Sequence, residues 1–153
     1  MPDSKPPLST AMIGSWQLTT REDLAADGRV ISESALGADP LGLLIYDRGG
    51  NFAAQFMRRD RSGPAAMAPV QKVSGANNTM PTDGYDAYFG TYTADDAAGT
   101  VTQTLVAALS RENVGQVVTR DLAVDGDTLT VSLGTTLPDG TPVTRILKWA
   151  RVG

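Results

Sequence analysis

Hydrophobic and polar positions alternate along the chain in short runs, with turn-forming residues between them. Alternation with a period of two marks a strand that buries one face. The first such run, GSWQLTTRE (14–22), places Trp16, Leu18 and Thr20 on one face and Gln17 and Thr19 on the other. ADGRV then supplies a turn and ALGADP a looser link. LGLLIYD (41–47) and NFAAQFMR (51–58) flank Asp47-Arg48-Gly49-Gly50, whose glycines tolerate positive φ, so a hairpin is predicted there. The rhythm resumes in YDAYFGTYTAD (85–95) and GTVTQTLVAALS (99–110), joined by a turn from Asp95 to Gly99. VGQVVTRDLAVDGDTLTVSL (114–133) folds back around Asp125-Gly126-Asp127, and TPVTRILKWARV follows a turn at Pro138-Asp139-Gly140.

This pattern predicts an all-β domain of about eight strands in up-and-down order, with no long amphipathic helix. An open sheet of that size would leave two unpaired edges, and closing it into an antiparallel barrel removes both. Residues 62–84 break the rhythm with three prolines and no sustained period. A loop of this length is usually functional or disordered. Pro64 and Pro69 limit any helix between Ala65 and Lys72.

Alternation also sorts the side chains. With Lys148 in water, Arg145, Leu147 and Trp149 face inward. A guanidinium inside a barrel needs a carboxylate, several carbonyls or an anionic ligand, unless it snorkels out at a rim. Tyr88, Gly90 and Tyr92 share one face. Turned inward, they would give an apolar wall with hydroxyl handles and room at the glycine for a ligand or a close backbone approach; the alternative is an aromatic ladder on the core. Val101, Gln103, Leu105 and Ala107 are assigned to the inside. Gly42, Leu44 and Tyr46 compete with Leu41, Leu43 and Ile45, both sets being apolar, as where one lines the cavity and the other packs under a loop or partner. Gln55 is a candidate cavity amide, and Arg58 a further polar candidate.

Composition narrows the chemistry. The chain has 153 residues, enough for one domain with a real core, and carries a net charge of -4. An acidic protein has no footprint for nucleic acid or an anionic membrane, and RRDR (58–61) reads as a solvated strand end. There is no cysteine and no histidine. Their absence excludes thiolate nucleophiles, histidine-based triads and the favoured ligands of zinc and copper. VDGDTL lacks the other ligands of a calcium loop and GGNF opens no helix, so no metal and no cofactor is expected. MPDSKPPLSTAMI (1–13) has no signal-peptide core, and no run is long enough to span a membrane. These features predict a cytoplasmic protein with a flexible tail over residues 1–11 and one domain over 12–153.

GSWQL resembles the Gly-x-Trp signature of lipocalin and calycin barrels. Together with PLGLLIYDRGGNFAAQ, YDAYFGTYTADDAAGTVT, VGQVVTRDLAVDGDTLTVS and LKWARV, it resembles the bacterial and fungal lipocalin-like domain family, block by block and in order. The resemblance implies a barrel with a variable loop partly over its mouth, Trp16 closing the narrow end and Arg151 stacked on its indole. Two positions depart from the family pattern: a frequent His pair is replaced by Gln103 and Thr104, and a frequent Asn-Trp by Glu112-Asn113. Any family role resting on imidazole therefore does not transfer.

The favoured function is binding of a small, largely apolar organic molecule with a few oxygen functions, by Tyr46, Gln55, Tyr88, Tyr92, Gln103, Arg145 and Trp149. The alternative, suggested by catalysts among related calycin barrels, is a cofactor- and metal-free cyclase, isomerase or lyase. There Tyr88, Tyr92 or Arg145 would polarise a carbonyl, and Asp86 or Glu112 would act as base. A third reading is an interaction scaffold without ligand. The expected partner is a small organic ligand or substrate, and a homodimer is compatible with the sequence.

Overall fold

Strand pairing in the computed structural model, which describes residues 5–31, 36–37, 39–62, 77–79, 81–137 and 139–153, closes the alternating runs into a ring. The described strands are β1 (Gly14–Leu24), β2 (Val30–Ile31), β3 (Leu41–Tyr46), β4 (Asn51–Met57), β5 (Tyr85–Asp95), β6 (Thr100–Ala108), β7 (Val117–Asp125), β8 (Thr128–Thr136) and β9 (Pro142–Arg151). From β3 to β9 each strand pairs antiparallel with the next, and β1 lies between β3 and β9. The seam β1–β9 runs from Trp16 opposite Arg151 to Leu24 opposite Thr144. The result is a closed eight-stranded antiparallel barrel, with β2 added outside the ring through Asp23 and Leu24.

Two bulges change the expected facing of residues. In β1 the register shifts between Leu18 and Thr20. Thr19 is the extra residue, so Thr20, which strict alternation places on the face of Trp16 and Leu18, is exposed together with Thr19, while Arg21 and Asp23 turn inward. Between β5 and β6, Phe89 pairs with Ala107 but Gly90 pairs with Leu105, leaving Val106 unpaired. A bulge inserts one residue and reverses the alternation beyond it. Ala107 therefore leaves the inner set, and Ala108 packs against the core instead. Gly90 sits at this bulge because a Cβ there would collide with the Thr104 carbonyl oxygen, so the glycine marks a close approach of two backbones.

At one end the barrel is sealed. A single helical turn, α1 (Leu8–Ala11), within the segment expected as a tail, is tied to the β5–β6 turn. The Ser9 backbone N–H and hydroxyl donate to the Asp96 carboxylate at 2.7 and 2.9 Å. Trp16 is fully buried and its indole N–H donates to the Met12 carbonyl at 2.9 Å. The Arg151 guanidinium lies 4.3 Å from the Trp16 ring centre and donates to the Ile13 and Ala11 carbonyls. Arg151→Met should lower stability by about 1–2 kcal/mol, the sum of a cation–π contact and part-buried hydrogen bonds. Urea titration checks this, and an unchanged midpoint would show that the stack adds nothing.

Phe52, Val101, Leu122 and Leu129 fill the interior near this end. The rest of the interior also buries Arg21, Asp23, Asp86, Gln103, Arg120 and Arg145. The outer wall exposes Phe89, Val106 and Val117 on β5–β7. The stretch from Ala65 to Lys72, where the prolines leave room for a short helix at most, lies outside the described residues. No described helix is long and apolar enough to cross a membrane.

Candidate functional site

The polar half of the barrel encloses a cavity. The centre of a water-sized sphere has about 50 Å³ to move in, and atom-free space reaches about 570 Å³ when the opening to solvent is included. This exceeds several times the room that one water needs. Leu44, Phe56, Val131, Leu133 and Leu147 form its apolar wall. Arg21, Asp86, Gln103, Arg120 and Arg145 form its polar wall, with Tyr46, Tyr88 and Trp149 presenting both characters.

Each charged group reaches the wall by a traceable route. Arg145, from β9, is locked in place. Its Nε and one terminal nitrogen donate to the two oxygens of Asp23, opposite it on β1, at 2.7 and 2.9 Å. Its other terminal nitrogen donates to Asn78 Oδ1 at 2.9 Å. Arg120, from β7, is paired differently: one terminal nitrogen donates to the Asn77 carbonyl at 2.6 Å and to the Thr119 carbonyl at 3.3 Å. Neither acceptor is charged, and burial, reinforced by the charge of Arg145, lowers the Arg120 pKa. Asn77 brings this segment in. It takes φ +59° and bonds both amide atoms to the Thr119 main chain, at 2.8 and 2.9 Å.

Asp86, on the inward face of β5, accepts from the Thr79 hydroxyl through Oδ2 at 2.6 Å, while Oδ1 is buried without a hydrogen-bond partner. Burial pushes its carboxyl up to about 6, against the bonds from Thr79 and the Ala87 backbone N–H and the charge of Arg21. Burial likewise pushes the Tyr88 phenol up to about 12, and the Asp86 charge adds to it. Tyr46 is raised for the same first reason; its hydroxyl accepts from Gln103 Nε2 at 2.7 Å, leaving Gln103 Oε1 buried and unpartnered. Trp149 Nε1 is also buried without a partner. Three orphaned polar atoms thus belong to residues of one cavity wall, each costing about 1–3 kcal/mol while unmet. Among the described residues no three His, Cys, Asp or Glu side chains converge as a metal site.

A family model for the lipocalin-like domain matches residues 13–152, nearly the whole chain. The chain belongs to the lipocalin-like domain family. No curated protein matches it.

Within this lipocalin-like barrel the candidate residues separate. Tyr46, Tyr88, Gln103, Arg145, Trp149 and Asp86 come together around the cavity. Gln55 does not: Phe52, Ala54 and Phe56 occupy the inner face of β4, so Gln55 is exposed and accepts from the Tyr85 hydroxyl. Tyr92 is on the inner face but stops short of the cavity. It stacks edge-on against Tyr46 at 4.9 Å and donates to the Asp47 carbonyl at 2.6 Å. Glu112 is exposed in a 3₁₀ turn, Arg111–Asn113, and cannot serve as a base in the barrel. Arg58, at the end of β4, donates from Nε to the Asp60 carbonyl and is not part of the wall.

Sequence reasoning missed Arg21, Asp23, Asn78, Thr79 and Arg120. Arg120 had a signal, since Val118-x-Arg120-x-Leu122 places it in an apolar alternating set. Arg21 and Asp23 were hidden by the β1 bulge, and Asn78 and Thr79 by their place in a loop without period.

The lipocalin-like cavity wall thus carries three guanidiniums and one carboxylate, Asp86, with Asp23 paired to Arg145, within a chain of net charge -4. Such a wall can hold an acidic oxygen, polarise a carbonyl and exchange a proton near neutral pH.

Proposed function

We propose that the barrel binds a small organic molecule, apolar over most of its body and carrying an acidic oxygen function. The reading rests above all on Arg120: a guanidinium in the cavity wall whose described acceptors are carbonyls alone. A carboxylate or phenolate from a ligand would offset the desolvation of that charge, as Asp23 does for Arg145. Gln103 Oε1 and Trp149 Nε1 would orient the ligand's remaining polar groups, and Phe56, Leu133 and Leu147 would cover its body. A residual cavity with unmet polar atoms in its wall also favours this reading over a scaffold without ligand.

Calorimetric titration with benzoate and cyclohexanecarboxylate, against their amides, tests it. The acids should bind and the amides should bind at least about tenfold more weakly. Arg120→Gln should weaken the acids about 10- to 100-fold, the loss of a charged hydrogen bond of about 1.5–3 kcal/mol. Amides that bind as well as acids, or an Arg120→Gln variant with unchanged affinity, would refute the assignment.

A further inference from the structure

The two buried carboxylates of the barrel are held in opposite ways. Asp23 has both oxygens engaged by Arg145. Asp86 is only 2% exposed, is bonded to the Thr79 hydroxyl through Oδ2, forms no salt bridge among the described residues, and keeps Oδ1 without a partner. The Thr79 bond does not itself require a carboxylate there, since an amide could accept it. The groups around it come from every side of the cavity. Arg21 stands on β1, Tyr46 on β3, Tyr88 on β5 and Arg120 on β7, with the Arg145–Asp23 pair across from them. Asp86, Tyr88 and Arg120 line the same cavity, which puts base and cation within reach of one small ligand.

We propose that Asp86 moves protons to and from carbon in the bound molecule, making the cavity a cofactor-free site for enolisation and isomerisation of a carbonyl compound. This rests on the reading of the cavity as a ligand site. Asp86 Oδ1 takes the proton from the carbon beside the ligand's carbonyl. The C–H bond breaks and the O–H bond forms; the released pair makes the C=C bond, and the carbonyl pair moves onto oxygen. Arg120 holds that enolate oxygen, because Arg145 has its donors engaged by Asp23 and Asn78. Where the ligand carries a C=C bond one carbon further on, the pair is spread over a dienolate, and returning the proton to its far carbon gives the conjugated isomer, with no change in oxidation state and no co-reactant. Asp86 is then the catalytic base and acid, and Thr79 its positioning residue.

The carbon acid 5-nitrobenzisoxazole tests the base without knowledge of the natural ligand. Removal of its ring C–H proton breaks the N–O bond and releases a coloured cyanonitrophenolate, whose new charge Arg120 would hold. The protein should eliminate it saturably and with chelator present, at a rate rising with pH as Asp86 loses its proton. Asp86→Asn should lower the rate at least about 100-fold, Arg120→Gln about tenfold, and Glu112→Gln not at all. Asp86→Glu, which keeps a carboxylate, should retain part of the activity. A rate no higher than that of equimolar acetate, no saturation up to the probe's solubility limit, or an undiminished Asp86→Asn variant would overturn the proposal. Benzoate binding that survives in Asp86→Asn while elimination fails in wild type would sink the proton-transfer role alone. Loss of benzoate binding in wild type would instead strike the ligand site itself.

Discussion

Asp23→Leu should lower the unfolding free energy by about 3–5 kcal/mol, the range for breaking a buried ion pair by removing one partner. The pair is nearly solvent-free, with the Arg145 side chain 7% exposed and the Asp23 side chain 0%. Once the carboxylate is gone, the guanidinium keeps only the neutral Asn78 oxygen among its described partners. It must then draw in water or turn outward, disturbing β9 and the cavity together. Arg145→Met should cost a similar amount by leaving Asp23 charged and buried. The double replacement Asp23→Leu/Arg145→Met should recover most of the loss, because two apolar side chains avoid desolvation altogether. Urea titration of the four proteins closes the cycle. Additive losses in the double variant would mean that the two side chains act independently, against the bidentate geometry. The comparison also separates stability from use: a double variant that folds well but binds no benzoate would assign the pair to shaping the charged wall.

The fold was legible because one rule, alternation between turns, operates along nearly the whole chain and closure follows from the need to bury edges. The site was legible only where that rule keeps its phase. Tyr46, Tyr88, Gln103, Arg145 and Trp149 lie on strand segments whose alternation runs unbroken to an apolar anchor. Arg21 and Asp23 lie beyond the bulge at Thr19, and TTRED carries no glycine or proline to announce it. Hence the partner of Arg145 was invisible although the need for one was clear. Asn78 and Thr79 reach the cavity because Asn77 bonds the Thr119 main chain, a tertiary contact that leaves no local pattern. Gln55 shows the converse limit. Both faces of β4 carry apolar residues, so composition could not choose between them, and the aromatic pair Phe52 and Phe56 took the inside.

Asp86→Asn should make the protein more stable at neutral pH, and the gain should vanish in acid. The folded-state pKa of Asp86 is raised from 3.8 to about 6 by burial. Between those values the folded chain holds a proton that the unfolded chain has released, so wild-type stability falls as pH rises through the window. At about 1.4 kcal/mol per pH unit, the full cost at pH 7 is about 3 kcal/mol. The exposed carboxylates act in the other direction and in another window. Asp47, Asp60 and Asp139 are lowered, chiefly by hydrogen bonds from Asn51, Ser62 and Thr141, and lose their contribution as pH falls below the ordinary carboxylate range. Subtracting the variant from wild type cancels them. The difference in unfolding free energy should therefore be near zero at pH 4 and reach about 2–3 kcal/mol in favour of Asp86→Asn at pH 7. A difference independent of pH would mean that the carboxyl titrates alike in both states, and the buried, half-bonded environment of Oδ1 would be wrong. A carboxylate that weakens the fold at neutral pH, where an amide could keep the Thr79 bond, is the feature that the proposed proton transfer would account for.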